Sequence, residues 1–424
     1  MKLMKNLAIA AFAAVALPAH SLAAYAETTE IFVHYPMPNF FKGVMDTIST
    51  EYMKQHTDVK ITFASPSPTY EDGLQLMLRQ AGTAEMPDVS FIGLNRLRVL
   101  AERNIGTDLT PFIKADSNFA NEGFSDRLLN LARFNGKQMG LAFATSNPIM
   151  YYNADLVRKA GGDPDHMPTT WDEVFPLAAK INALGDGVIG MSYRWMGDDW
   201  MFSALLFGHG GKMLSDDEKK VAFDGPEGLA SLKLIDRMVK EGKMPPMTSD
   251  AATQGFNAGK IGMFFFTTGG LRGTINGVGG KFDLRTGKMP VIDPNKGRLP
   301  TGGNAAVMFT TDVKKQQAVY EFIKFAAGPF GASVVVPGTG YVPNNELAAK
   351  DDRYLGKFYD ANPLFKAGLS QMDLMIPWYS FPGNNGVKVT QTIVDNLSVL
   401  VEQKTTPEEA LKTMSTEVQK LLPR

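Results

Sequence analysis

The sequence predicts an α/β protein of two lobes with a cleft between them. Three observations lead there. The chain has 424 residues, too many for one small core and suited to two α/β units. Residues 31–100 alternate β-type and helix-type patterns, as right-handed crossovers and a largely parallel sheet require. Residues 141–173 then read as a strand leaving the first lobe, followed by two capped helices that open a second.

The elements follow in order. Ile31–Tyr35 is a short β-type run, and Phe40, Phe41, Val44, Met45, Ile48 and Tyr52 recur at helical spacing behind Asn39 as the expected N-cap. Val59–Phe63 alternates as a strand, and Thr69 is placed to cap a helix carrying Leu74, Met77 and Leu78. Asp88–Ile92 is a third strand, with a helix through Leu97 and Leu100 behind it. In an open sheet of this kind the ligand crevice lies outside the carboxyl ends of the strands. The loops His34–Met37, Ser65–Glu71 and Gly93–Arg96 therefore converge on one edge, which makes Tyr70 and Asn95 candidates for a cleft wall.

After the crossing, Asn153 is an N-cap, Asp155 complements the helix dipole, and Leu156, Val157 and Ala160 form a buried stripe that ends at Gly161. Thr170 and Glu173 have capping-box spacing, while Pro176 is expected to kink the helix that they start. Ile189–Tyr193 begins a second sheet, and an aromatic loop runs from Tyr193 to Trp200. Glu227–Val239 reads as a helix, and Phe256–Phe266 as a helix end, a turn and a buried strand. The glycine-rich stretch 267–280 reads as a flexible loop beside the cleft, and 287–300 as a second loop. Gly302–Phe309 is a strand returning to the first lobe, Gln317–Ala327 a helix, and Pro337–Pro343 a turn and third crossing. Ile393, Leu397 and Leu400, then Ala410, Leu411 and Met414, are helically spaced in the tail.

The N-terminus has a basic start at Lys2 and Lys5, an apolar run from Leu7 to Leu17, and Ala24-Tyr25-Ala26 before Glu27. This is the pattern of a cleaved secretory signal peptide over residues 1–26, and the run is too short for a bilayer span of about 20 residues. Losing two lysines and no acids with it takes the formal net charge from −1 to −3, so nucleic acid is not an expected partner. Cysteine is absent, which excludes a disulfide scaffold, a thiol nucleophile and a lipid-modified cysteine. An exported, unlipidated protein of this kind fits a Gram-negative periplasm. The expected division is 27–143 as lobe one with 303–338 returning to it, and 144–302 as lobe two with 339–424 packing mainly on it.

Motifs for covalent chemistry are missing. There is no Gly-x-Ser-x-Gly elbow, no His-Glu-x-x-His and no complete phosphate loop. No metal or cofactor is expected, since His34, His56, His166 and His209 are not spaced as ligand pairs. His34, at a strand end, is either a ligand contact or structural. Asp198-Asp199 and Asp216-Asp217-Glu218 read as solvated loop acids rather than a catalytic pair. What remains is aromatic: Tyr35, Tyr70, Trp195, Trp200, Tyr341, Trp378 and Tyr379 all lie in or beside loops. Aromatic faces suit the C–H faces of sugars, although ordinary core packing accounts for any one of them equally well.

Asn147-Pro-Ile-Met-Tyr-Tyr-Asn153, Thr170-Trp-Asp-Glu173, Gly340-Tyr-Val-Pro343 and Thr406-Pro-Glu-Glu-Ala410 resemble family 1 extracellular solute-binding proteins of ABC importers. The likeness spans the chain after the leader and is nearest the branch of glycerol-3-phosphate and sugar binders. It implies the two-lobed, maltose-binding-protein-like type II fold, hinge closure around a ligand, and docking of a monomer on inner-membrane permease subunits. It suggests Tyr35, Glu71, Ser146, Trp195, Trp200, Thr268, Gly303 and Tyr341 as cleft residues. Glycerol-phosphate binders of the branch carry a late arginine; here Asn385–Gln391 offers only Lys388, which is not a bidentate equivalent. The leading ligand is therefore a sugar, oligosaccharide or polyol, with Arg96 and Arg194 leaving room for an anionic one. Two other classes stay open at this point. One is a saccharide hydrolase, for which only Glu71 is placed; the other is an adhesin or chaperone-like peptide binder.

Overall fold

The computed structural model describes residues 28–423, so the predicted leader lies outside the described residues. The strands in chain order are β1 (Thr29–His34), β2 (Val59–Phe63), β3 (Val89–Gly93), β4 (Arg133–Phe134), β5 (Lys137–Gln138) and β6 (Leu141–Ser146). They continue with β7 (Pro148–Asn153), β8 (Ile189–Tyr193), β9 (Ile261–Thr267), β10 (Leu284–Gly287), β11 (Leu299–Met308) and β12 (Met375–Pro377). Two sheets organise two lobes. The first runs β2-β1-β3-β11-β12 with β6 also on β11, and the second runs β10-β7-β9-β8. β1 pairs in parallel with both β2 and β3, whereas β11 is antiparallel to β3 and β6.

Strands β3, β6, β7 and β11 are buried on both faces, and the period-2 alternation of side chains divides each sheet between two cores. In lobe one, Ala306 and Met308 pack under the helices Pro38–Gln55 and Val313–Ala327, while Ala305 and Val307 pack under Tyr70–Gln80 and Leu97–Glu102. In lobe two, Met150 and Tyr152 face the larger core, and Ile149 and Tyr151 the opposite one. The C-terminal helices Gly386–Val401 and Pro407–Leu421 add Ile393, Leu397 and Met414 to that larger core.

Three chain crossings join the lobes, and they are laced together. β6 pairs with β11 up to Ser146, and β7 pairs with β9 from Pro148, so Asn147 stands between the sheets. Its backbone N–H donates to Thr268 Oγ1 (3.3 Å) and its Nδ2 to the Gly368 carbonyl (2.8 Å). Val342 N–H donates to the Thr145 carbonyl (2.8 Å), and Thr145 Oγ1 donates to the Val342 carbonyl (3.1 Å).

Caps at Thr69 and Asn153, and the Thr170/Glu173 box, form as their residue types dictate. Three local expectations change. Helix Pro38–Gln55 starts behind a left-handed Met37 (φ 55°) rather than at Asn39. Proline at the first helical position has no N–H to cap, and the Met37 N–H is already held by the Ser67 carbonyl (2.8 Å). The stretch 267–280 is a 3-10 turn at Thr268–Gly270 and a helix at Leu271–Val278, not a flexible loop. Glycine is needed there for proximity: a Cβ on Gly269 would stand 2.8 Å from the Tyr341 ring. Pro337 lies inside the helix Pro329–Thr339, and the turn begins only at left-handed Gly340. Pro176 lies inside the helix Trp171–Asn182, which continues past it.

Candidate functional site

A cavity of about 430 Å³ opens between the lobes, within the size range of small-molecule sites. Its lobe-one wall comes from the loops that follow β1, β2 and β3, through Met37, Tyr70, Glu71, Asn95 and Arg96. Parallel strands put those ends on one edge. Ser146 at the end of β6 and Gly302-Gly303 in β11 form the floor, and Tyr341 on the third crossing closes the back. Lobe two contributes Arg194, Asp198, Trp200, Phe266, Thr267 and Trp378.

The polar contacts are specific. Asn304 Nδ2 donates to the Tyr70 hydroxyl (3.0 Å), which shares a second hydrogen bond with the Tyr341 hydroxyl (3.1 Å). Whichever tyrosine donates in that pair, the other hydrogen has no protein acceptor and is available to a ligand oxygen. Burial pushes the Tyr70 phenol up to about 12, so it stays protonated. The Tyr341 ring stacks on Phe41 (5.7 Å, 20°), which fixes its direction. Arg194 is bound bidentately by Asp198 (2.9 and 2.6 Å), and Arg96 Nε lies 3.0 Å from Glu71 Oε2. The Trp200 and Trp378 rings meet at 6.4 Å and 56°. Trp378 Nε1 donates to Asp199 Oδ1 (3.2 Å), and Trp200 Nε1 is buried without a protein partner.

Tyr70, Glu71, Asn95, Ser146, Trp200, Gly303 and Tyr341 thus share one cavity. Three other candidates do not join them. Tyr35 is 6% exposed and packs edge-on against Phe63 in the lobe-one core. Trp195 does not line the cavity, whereas Trp200, equally buried and in the same lobe-two core cluster, does. Thr268 engages its hydroxyl with the Asn147 N–H, and its neighbour Thr267 lines the wall instead. His34 is structural: it is wholly buried between Ser90 Oγ (2.8 Å) and Ser67 Oγ (2.9 Å), and burial pulls its imidazole down to about 4. Lys388 is exposed on the helix Gly386–Val401, away from the cavity wall. The acids 198–199 are not solvated: Asp198 holds Arg194, and Asp199 is 1% exposed beneath Trp378. Phe266 was missed, although it lies near the end of β9, where the strand-end rule applies.

A family model described as bacterial extracellular solute-binding protein matches residues 47–367. The chain belongs to that family. The sn-glycerol-3-phosphate-binding periplasmic protein UgpB of Salmonella typhimurium is 27% identical over 411 residues, covering 92% of this chain and 91% of the relative. Among solved structures, UgpB from Mycobacterium tuberculosis in complex with glycerophosphocholine aligns with a TM-score of 0.81 at 17% identity, over 92% of this chain and 97% of that one. The cyclic alpha-maltosyl-1,6-maltose binding protein from Arthrobacter globiformis aligns at 0.78 and 21% identity, over 93% and 98%. These likenesses show the two-lobed fold.

In this solute-binding protein the lobes are also clasped beside the cavity. Arg98, on the lobe-one helix Leu97–Glu102, reaches Glu218 of lobe two with both terminal nitrogens (2.6 and 2.5 Å). Tyr379 donates to the same carboxylate (2.8 Å), and Ser380 Oγ donates to the Asn95 carbonyl (2.6 Å). The Arg98 guanidinium holds the Glu218 carboxyl below the usual carboxylate range. We predict that Arg98→Ala raises the open-to-closed ratio of the unliganded protein by about 5- to 150-fold, since a charged, partly buried bidentate pair is worth about 1–3 kcal/mol. Small-angle scattering should show a larger radius of gyration for the variant, with the difference shrinking in high salt. Identical curves at low salt would mean that the clasp does not hold the lobes.

Proposed function

We propose that this protein is the periplasmic capture component of an ABC importer, and that its cargo is an uncharged polyhydroxylated solute: a sugar, short oligosaccharide or polyol. The observation that carries this reading is the composition of the cavity wall. Its two guanidiniums, Arg96 and Arg194, are each matched by a carboxylate, and the rest includes the rings of Phe40, Trp200, Phe266 and Trp378 with hydrogen-bonding groups from Tyr70, Tyr341, Asn95 and Ser146. Such a wall offers faces for C–H packing and directed partners for hydroxyls, with no net charge to neutralise. In this reading, closure moves 27–143 with 303–338 against 144–302 with 339–424, and ligand shifts the population toward the closed form by its differential affinity. The closed monomer then docks on inner-membrane permease subunits after export by a cleaved leader.

A second reading, an anionic polyol such as glycerol 3-phosphate, is favoured by the name of the 27%-identical relative and by the two arginines in the wall. A saccharide hydrolase is not favoured, because the cavity carboxylates Glu71 and Asp198 are both bound to guanidiniums rather than free to act as acid and nucleophile. A thermal-shift panel separates these readings. Maltose, D-tagatose, trehalose, glycerol, sn-glycerol 3-phosphate and glycerophosphocholine are each added in large excess. A neutral solute is expected to raise the midpoint by several degrees, since 100-fold excess over Kd contributes about 2.7 kcal/mol. Stabilisation by glycerol 3-phosphate alone would transfer the assignment to the second reading.

A further inference from the structure

Asp198 grips Arg194 through both carboxylate oxygens, and its Oδ1 also accepts the Trp200 backbone N–H (3.0 Å). The pair is partly buried, with side-chain exposures of 18% and 22%. Gly197 presses from the other side, where a Cβ would stand 3.1 Å from the Arg194 guanidinium. The arginine is therefore held in its pairing geometry before any ligand arrives. On the opposite wall the contact is looser: one Glu71 oxygen lies 3.0 Å from Arg96 Nε and the other accepts from Gln75 Nε2 (2.8 Å), so Arg96 is balanced in charge without being gripped bidentately.

We propose that Asp198 is the charge filter of the cavity, with Glu71 balancing the charge of Arg96 on the opposite wall: Asp198 excludes phosphate monoesters by occupying the guanidinium face that an anion would need. The inference rests on the reading of this cavity as the solute site, and adds which residue sets the charge of the solute. A phosphate dianion gains from arginine chiefly through a bidentate contact, and here that fork is already filled. To reach it, the phosphate must displace Asp198 or stand beside its negative charge, and both weaken binding. A hydroxyl ligand has no such conflict. It can accept from an unused guanidinium N–H and donate to a carboxylate lone pair while the ion pair stays intact.

The test is calorimetric titration of the full chain, Asp198→Asn, and the double variant Arg194→Gln with Asp198→Asn, using sn-glycerol 3-phosphate and inorganic phosphate as probes. The parent is expected to bind glycerol 3-phosphate weakly. Asp198→Asn should bind it at least tenfold tighter, with a steeper salt dependence, and the double variant should lose the gain. An Asp198→Asn protein that binds no tighter than the parent, or a double variant that keeps the gain, overturns the filter. If Asp198→Asn does not fold, Glu71→Gln puts the same question to Arg96, with the same tenfold criterion. Failure of the filter while a neutral solute still stabilises the parent leaves the site reading intact. If neither charged nor neutral solutes bind any of the proteins, both inferences fall.

Discussion

Replacing Asp199 by asparagine is expected to make the protein more stable at pH 8, by up to about 4 kcal/mol, and to leave it little changed near pH 4. Asp199 is 1% exposed, and burial, with the neighbouring Asp198 charge adding to it, raises its carboxyl to about 7. Arg96 opposes that shift without cancelling it. A group whose folded pKa lies above its unfolded value binds more protons in the folded state. Its contribution is therefore fully present below about pH 4 and is lost as the pH rises through 7. Asparagine cannot ionise, yet its carbonyl can still accept from Trp378 Nε1, now 3.2 Å from Oδ1. Urea unfolding midpoints of parent and variant at pH 4.5 and 8 measure the difference. Parallel pH profiles would show that Asp199 stays ionised when folded.

Gly303→Ala is expected to lower the melting temperature by about 10 °C or to prevent folding, a loss of about 3 kcal/mol or more. Gly303 has φ 116°, a conformation that a side chain rarely adopts. It faces Thr145 in the β6–β11 pairing, next to the register shift between Asn304 and Ala305. A Cβ there would lie 1.9 Å from the Ala144 carbonyl oxygen, which is buried backbone of β6 held in its pairing with β11 and cannot step aside. The same residue forms part of the cavity floor, so even a folded variant would carry a displaced hinge. Gly273→Ala is the control. It lies in the helix Leu271–Val278 with open space around its Cβ position, and alanine there is expected to be neutral or stabilising.

Much of this architecture is legible in the residues. Alternation in β1–β3 with intervening amphipathic helices is enough for a parallel sheet, and a parallel sheet is enough to bring Tyr70, Glu71 and Asn95 to one edge. Ser146, Gly303 and Tyr341 are different: their placement came from a resemblance, because no local pattern marks a strand as a crossing between lobes. The errors fall where tertiary geometry decides. Trp195 and Trp200 are five residues apart and both pack in the lobe-two core, but left-handed Gly197 lies between them and only Trp200, at the start of its helix, also lines the cavity. The stretch 267–280 looked mobile because glycine is permissive, whereas the Tyr341 ring needs the space that glycine leaves. Adjacent acids look solvated in a sequence. Nothing local shows that a tryptophan 179 residues later will cover Asp199.

In the proposed function, the cavity walled by Tyr70, Tyr341 and Trp200 captures an uncharged polyhydroxylated solute. Titration calorimetry with the strongest neutral stabiliser of the thermal-shift panel, against the parent and Tyr341→Ala, tests it most directly. One-to-one binding by the parent is expected, and at least hundredfold weaker binding by a folded Tyr341→Ala protein, which loses the Tyr70–Tyr341 hydroxyl pair and part of the cavity wall. Equal affinities, or heat only from phosphate-bearing solutes, would contradict it.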